Sequence, residues 1–238
     1  MIRLFALGAL LALAACQDPP ETANAAAARA DAPRVIAGER TRPAPPLTRR
    51  VVKVRLVTEM GDIVLALDGR RAPVTASNFL RYVDSGRLDN TVFYRAARTR
   101  GAPERGFIQG GIDRAYRRMF SPIVHEPTNQ TGILHEAGTI SMAKTSVGPA
   151  IGEFFIISDR MPYLDARDDH DGYAAFGRVI EGMDTVRRIL ASPVIPNAGR
   201  GGLRNQMIAD PVRVIRAERV DTPPAEPRHA GAAPRQAP

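Results

Sequence analysis

Five short blocks in fixed order constrain this chain more than any other feature: Thr91–Arg95 (TVFYR), Gly106–Gly111 (GFIQGG), Gly138–Lys144 (GTISMAK), Glu153–Ile157 (EFFII) and Gly172–Asp184 (GYAAFGRVIEGMD). Their apolar and β-branched stretches read as strands bounded by turn residues. Three of them carry a polar residue in apolar company: Arg95, Gln109 and Glu153. Such placement points to an apolar groove with a few aimed hydrogen-bonding groups, the usual make-up of a substrate site.

The rest of the folded unit fits around these strands. Val52–Val57 and Asp62–Leu67 alternate as a hairpin with its turn at Met60–Asp62, and Asp62 and Asp68 sit where their side chains cap turns. Pro73 opens a helix to about Asp84 with Phe79, Leu80 and Val83 on one face; a second helix spans about Met183–Ala191, with Val186, Ile189 and Leu190 inward. Pro211–Arg219 closes the unit as a strand. About eight short strands and two helices predict a mainly β fold, a closed antiparallel eight-stranded barrel capped by two helices, which leaves no open sheet edge.

Domain limits follow from composition. Residues 1–15 hold one arginine, an apolar run (Leu4–Leu13) and small residues, a secretory signal pattern too short to span a bilayer. Its end, Leu13-Ala14-Ala15-Cys16, resembles the bacterial lipobox, in which the cysteine is lipidated after cleavage. Cys16 is the only cysteine, so disulfides are excluded. By resemblance to sorting patterns, Gln17 favours the outer membrane, on the periplasmic side of the envelope. Residues 16–50 carry six prolines after Cys16 and no aromatic residue, and are expected to be a disordered tether. Its coil span of roughly 30 Å would hold a domain off a membrane. Residues 221–238 read as a disordered tail, leaving 51–220 as the folded domain.

The chain has 44% hydrophobic residues, enough for a core. Its net charge of +8 is almost all arginine, scattered as pairs such as Arg70-Arg71 and Arg187-Arg188. No basic block interleaves with aromatics, so nucleic acid is not an expected partner. The histidines His125, His135, His170 and His229 lack metal-ligand spacing, and the Asp165–Asp171 cluster reads as a solvated turn, so no metal is expected.

Taken together with Ala72-Pro73-Val74-Thr75 and Asn78-Phe79, the five blocks resemble a cyclophilin, the barrel-shaped class of peptidyl-prolyl cis-trans isomerase, over about Val54–Ser192. The secretory signal makes the resemblance strongest to the bacterial periplasmic branch. The resemblance implies rotation of X–Pro bonds in proline-containing polypeptides, here envelope proteins; the Cys16 pattern adds a lipid anchor to the membrane, and with no feature indicating an oligomer a monomer is expected. It makes Arg95 the catalytic arginine and Gln109 its positioner. It assigns Phe107, Phe155, Leu164, Tyr163 and Tyr173 to the proline pocket and its rim, and Met142, Ala143, Lys144 and Thr145 to the edge along which the peptide lies.

The chemistry fits those residue types. Rotation about the conjugated amide faces ~18–20 kcal/mol, and no bond is broken, so no cofactor is needed. Only interactions stronger in the twisted state help. The prolyl nitrogen gains a lone pair there, which a permanently charged, planar guanidinium can meet.

Three departures from the family pattern bear on rate. Glu153, grouped with the substrate-binding residues, stands where glutamine is usual. A carboxylate there is expected to ion-pair with Arg95, which would hold the guanidinium but also compete with the prolyl nitrogen; Glu153→Gln should isomerise as fast or faster, and a large loss would mean that the carboxylate supports Arg95. Ala96–Gly106 is longer than usual, with a turn near Gly101-Ala102-Pro103, and Gly106 aligns near a pocket phenylalanine of the family. Ser146–Gly152 lacks the usual polar spacing. These departures favour the alternative, a low-activity module that binds proline-containing segments.

Overall fold

A computed structural model describes residues 51–112, 115–143 and 152–220 of the chain. The signal, the tether, Cys16, Lys144, Thr145 and the tail lie outside them.

Eight strands close into an antiparallel barrel: β1 (Val51–Thr58), β2 (Gly61–Asp68), β3 (Thr91–Thr99), β4 (Ala102–Gly111), β5 (Thr139–Met142), β6 (Glu153–Ile157), β7 (Ala174–Glu181) and β8 (Met207–Arg219). Around the barrel the order is β1-β2-β7-β5-β6-β4-β3-β8, and β8 pairs back onto β1. Every strand therefore has two hydrogen-bonded neighbours, the edge-free arrangement expected from the pattern. Among the described residues the two longer helices are α1 (Pro73–Asp84) and α3 (Met183–Leu190), with α2 (Thr128–Thr131) a single turn.

Alternation along the strands fills the interior. Leu56, Ile63, Leu65, Phe93, Ile108 and Phe154 are among the residues buried inside, each contributing ~1.5–3 kcal/mol by leaving water. Phe154 packs edge-on to Phe79 of α1 at 5.3 Å and to Phe93 of β3 at 5.7 Å, joining helix to sheet. The predicted inward faces of both helices hold: Phe79, Leu80 and Val83 are buried in α1, and Val186, Ile189 and Leu190 in α3.

Neither helix start is capped by its own N-cap side chain. Ala72 precedes α1 and has none to offer, so Glu126, from a distant loop, takes that role. Its carboxylate accepts bonds from the Val74 and Thr75 amides at 3.1 and 2.8 Å and from the Thr75 hydroxyl at 2.7 Å. A negative group on those free N–H donors also suits the helix dipole. The expected turn role of Asp68 is observed, since its Oδ1 accepts the Arg70 and Arg71 amides.

Three strands differ from expectation. The long Ala96–Gly106 stretch is no loop, because β3 runs to Thr99 and β4 begins at Ala102, making an extended hairpin. Its Arg98 reaches across to accepting carbonyls of Leu190 and Ser192, tying the hairpin to the C-terminus of α3. β8 is also longer than predicted, starting at Met207. Pro211 lies where the β3 register breaks, between the Phe93↔Val212 and Arg95↔Met207 pairs, so it removes no ladder bond there.

Gly106 cannot stand in for a pocket phenylalanine. A Cβ there would meet the Ala97 carbonyl oxygen at 2.1 Å, so no side chain fits. Gly110 similarly gives way to Phe93, whose ring would lie 2.9 Å from an added Cβ.

Candidate active site on the outer wall of the barrel

With Ile108 and Phe154 pointing inward, their neighbours Phe107, Gln109 and Phe155 point outward. Cross-strand pairing sets Arg95, Gln109, Phe155 and Ser141 in one row across β3, β4, β6 and β5. The predicted polar residues Arg95 and Gln109 are therefore direct neighbours.

A β-bulge completes the arrangement. Phe93 pairs with Gly110 and Arg95 with Gln109, so Tyr94 has no partner of its own on β4. Bulges re-aim side chains, and here Tyr94 reaches the same face as Arg95. Gln109 bridges the two. Its Oε1 accepts from Arg95 Nη1 at 2.7 Å, and its Nε2 donates to the Tyr94 oxygen at 2.7 Å. The Tyr94 hydroxyl donates in turn to Glu153 Oε2 at 2.5 Å. On the other side, Arg95 Nε donates to Gln206 Oε1 at 2.8 Å.

The expected Arg95–Glu153 ion pair is not formed. Two side chains separate them, and among the described residues no carboxylate pairs with Arg95. Burial pulls the Arg95 guanidinium below its ordinary value, opposed by the nearby phenols of Tyr94, Tyr173 and Tyr163. A guanidinium starts so high that it stays charged.

Beside Arg95 lies an apolar cluster separate from the barrel core: Ala143, Phe155, Ile157, Met161 and Leu164, with Phe107 and Tyr173 packed against it. The Phe107 ring is 4.9 Å from the guanidinium carbon and 5.2 Å from Phe155. Tyr173 meets Phe155 edge-on at 5.3 Å. Tyr163 is 55% exposed and stands at the rim, its hydroxyl 3.4 Å from Met161 Sδ. Met142 is the last residue of β5. Its side chain packs in the barrel interior, so only its backbone could meet a peptide. Glu153 is 8% exposed and accepts the Tyr94 hydroxyl.

Gln206 and Tyr94 escaped the sequence reading as site residues, and so did His135. The His135 ring is fully buried and stacks under Phe155 at 6.0 Å. Its Nδ1 lies 2.6 Å from Asp165 Oδ1 and its Nε2 3.0 Å from Ser141 Oγ. A neutral ring suits both partners: Nδ1–H donates to the carboxylate and Nε2 accepts the serine hydroxyl. Burial lowers the His135 pKa from 6.5, against the raising effect of Asp165. Between that lowered value and 6.5 the unfolded chain binds a proton that the folded one does not. Stability contributed by the neutral ring is thus present above 6.5 and lost as pH falls below it. Thermal midpoints followed from neutral to mildly acidic pH should show this fall, and His135→Gln should flatten it.

Barrel, row and apolar cluster together define a class. Residues 53–218 match the family model described as cyclophilin type peptidyl-prolyl cis-trans isomerase, and the chain belongs to that family. Over 141 residues it is 38% identical to peptidyl-prolyl cis-trans isomerase A of Dickeya dadantii, covering 57% of this chain and 70% of that relative. Over 166 residues it is 32% identical to the Acinetobacter baylyi peptidyl-prolyl cis-trans isomerase, covering 68% and 82%. A solved cyclophilin-type isomerase from Cryptosporidium parvum shares the fold at TM-score 0.55 and 23% identity, covering 73% of this chain and 99% of its own. The protein is a peptidyl-prolyl cis-trans isomerase of the cyclophilin type.

Proposed function

We propose that Arg95 is the donor that stabilises the twisted X–Pro amide, that Gln109 positions it, and that the proline ring seats among Phe107, Phe155, Leu164 and Tyr173. One observation carries this reading: the Arg95 guanidinium, fixed by two neutral amides, lies against an aromatic ring of an apolar cluster. Two of its five N–H groups are engaged, so three are left to meet the prolyl nitrogen and the neighbouring carbonyl as the amide deconjugates. The apolar cluster favours the ring over water, and nothing need be transferred. Exchange NMR on a short Ala-Pro peptide tests the assignment. The purified domain should broaden the cis and trans signals; binding without faster exchange would make it a proline-binding module instead.

The setting is the bacterial envelope. The protein acts as a monomer on proline-containing envelope polypeptides, held on the periplasmic side, at the outer membrane, by a lipid on Cys16. This rests on the Leu13-Ala14-Ala15-Cys16 pattern, the following Gln17 and the absence of any second cysteine in the sequence. Palmitate labelling should occur in the wild type and vanish in Cys16→Ser. Labelling that survives the substitution would sink the anchor.

A further inference from the structure

The chain of bonds from Arg95 to Glu153 runs in one direction only. Arg95 can donate but never accept, so Gln109 must turn its carbonyl oxygen toward it. The Gln109 amide nitrogen is then committed to Tyr94, whose oxygen accepts. That leaves the Tyr94 hydrogen for the far side, where it meets a carboxylate, which as an ion can only accept. A donor-only group at one end and an acceptor-only group at the other leave every amide and hydroxyl between them a single orientation.

We propose that Glu153 and Tyr94 are positioning residues of the isomerase, which act through Gln109 to fix the Arg95 guanidinium. The proposal rests on the assignment of Arg95 as the catalytic donor. The carboxylate also strengthens each link. A hydrogen bond from a phenol to a carboxylate is short and charge-assisted, and drawing the hydrogen away makes the Tyr94 oxygen a better acceptor for Gln109. Negative charge thus steadies Arg95 from a distance without occupying the N–H groups that face the substrate. A glutamine in place of Glu153 could present either oxygen or nitrogen to Tyr94. The chain would then admit two directions, one of which turns the Gln109 amide nitrogen toward Arg95 and breaks the contact. The expectation that Glu153 competes with the prolyl nitrogen is reversed.

The test compares kcat and KM for an Ala-Pro peptide in Tyr94→Phe, Glu153→Gln, the double variant and Arg95→Ala. Thermal midpoints and the NMR signal of the Arg95 Nε–H are followed in parallel. Tyr94→Phe should lower kcat about tenfold and Glu153→Gln about three- to tenfold, the size of one or two lost hydrogen bonds. KM should stay within about twofold, since the guanidinium acts in the twisted state. The double variant should be no slower than Tyr94→Phe alone, because both changes cut one chain. In each variant the Arg95 Nε–H signal should broaden.

Unchanged or faster turnover in Glu153→Gln, or losses that simply add, would overturn the proposal. If Tyr94→Phe does not fold, Glu153→Gln decides alone, since it keeps the shape and replaces the acceptor-only carboxylate with a neutral amide that can donate or accept. An inactive Arg95→Ala beside a fully active Tyr94→Phe refutes this proposal only. A fully active Arg95→Ala would refute the assignment of Arg95 and the proposal with it.

Discussion

Arg95→Ala should lose on the order of 10²–10³-fold in kcat/KM, the range seen when a preorganised donor to a developing charge is removed. The effect should fall on kcat. In the planar amide the prolyl nitrogen lone pair is conjugated and offers nothing to a donor, so the ground-state complex hardly uses the guanidinium. Binding of an Ala-Pro peptide should accordingly stay within about threefold, as measured by titration. Arg95→Lys should recover little of the loss. A lysine is a point charge on a flexible stem, and it cannot satisfy Gln109 and Gln206 together while aiming a third donor at the substrate. Turnover within about threefold of wild type in Arg95→Ala would remove the basis for placing the reaction here.

The second large effect concerns stability. Phe154→Ala should cost about 3–5 kcal/mol, because the side chain is 1% exposed and its ring joins α1 to β3 across the barrel interior. The cavity left between Phe79 and Phe93 cannot close without moving a strand that is hydrogen-bonded on both sides. At ~2–4 °C per kcal/mol for a domain of this size, the thermal midpoint should drop by roughly 6–20 °C. Its neighbour Phe155 faces the other way, into the outer cluster. Calorimetry on the two alanine variants should show the larger loss in Phe154→Ala, and peptide titration the larger loss in Phe155→Ala. Equal behaviour would mean that the two faces of β6 are not distinct in role.

Much of this was legible in the sequence because it is local. Alternation within each block and the bounding prolines and glycines made the barrel and both longer helices readable directly, whereas the placing of Phe155 in the groove came from the resemblance. Arg95 and Gln109 stood out as polar residues within apolar strands. Gln206 did not, because it joins Arg95 across 111 positions of sequence through the register of β8. Tyr94 looked like one more strand aromatic, and only the bulge between Phe93 and Arg95 turns its hydroxyl outward. Glu153 was recognised as unusual, but the sign of its effect depends on the two side chains between it and Arg95. His135 was visible only as a histidine without metal spacing. Ser141 lies six residues on, but Asp165 joins His135 across 30 positions, and no motif in the sequence ties the three together.

The two amides on either side of Arg95 have one more consequence. Attraction between exposed opposite charges fades as dissolved ions crowd in, with a screening distance of only ~8 Å at physiological ionic strength. The surface pairs Arg213–Glu59 and Arg219–Asp84 are subject to that loss. Arg95 is held instead by the dipoles of Gln109 and Gln206 in direct hydrogen-bond contact, and among the described residues no carboxylate touches it. The geometry of that guanidinium thereby depends less on the saltiness of the surrounding medium than the surface pairs do.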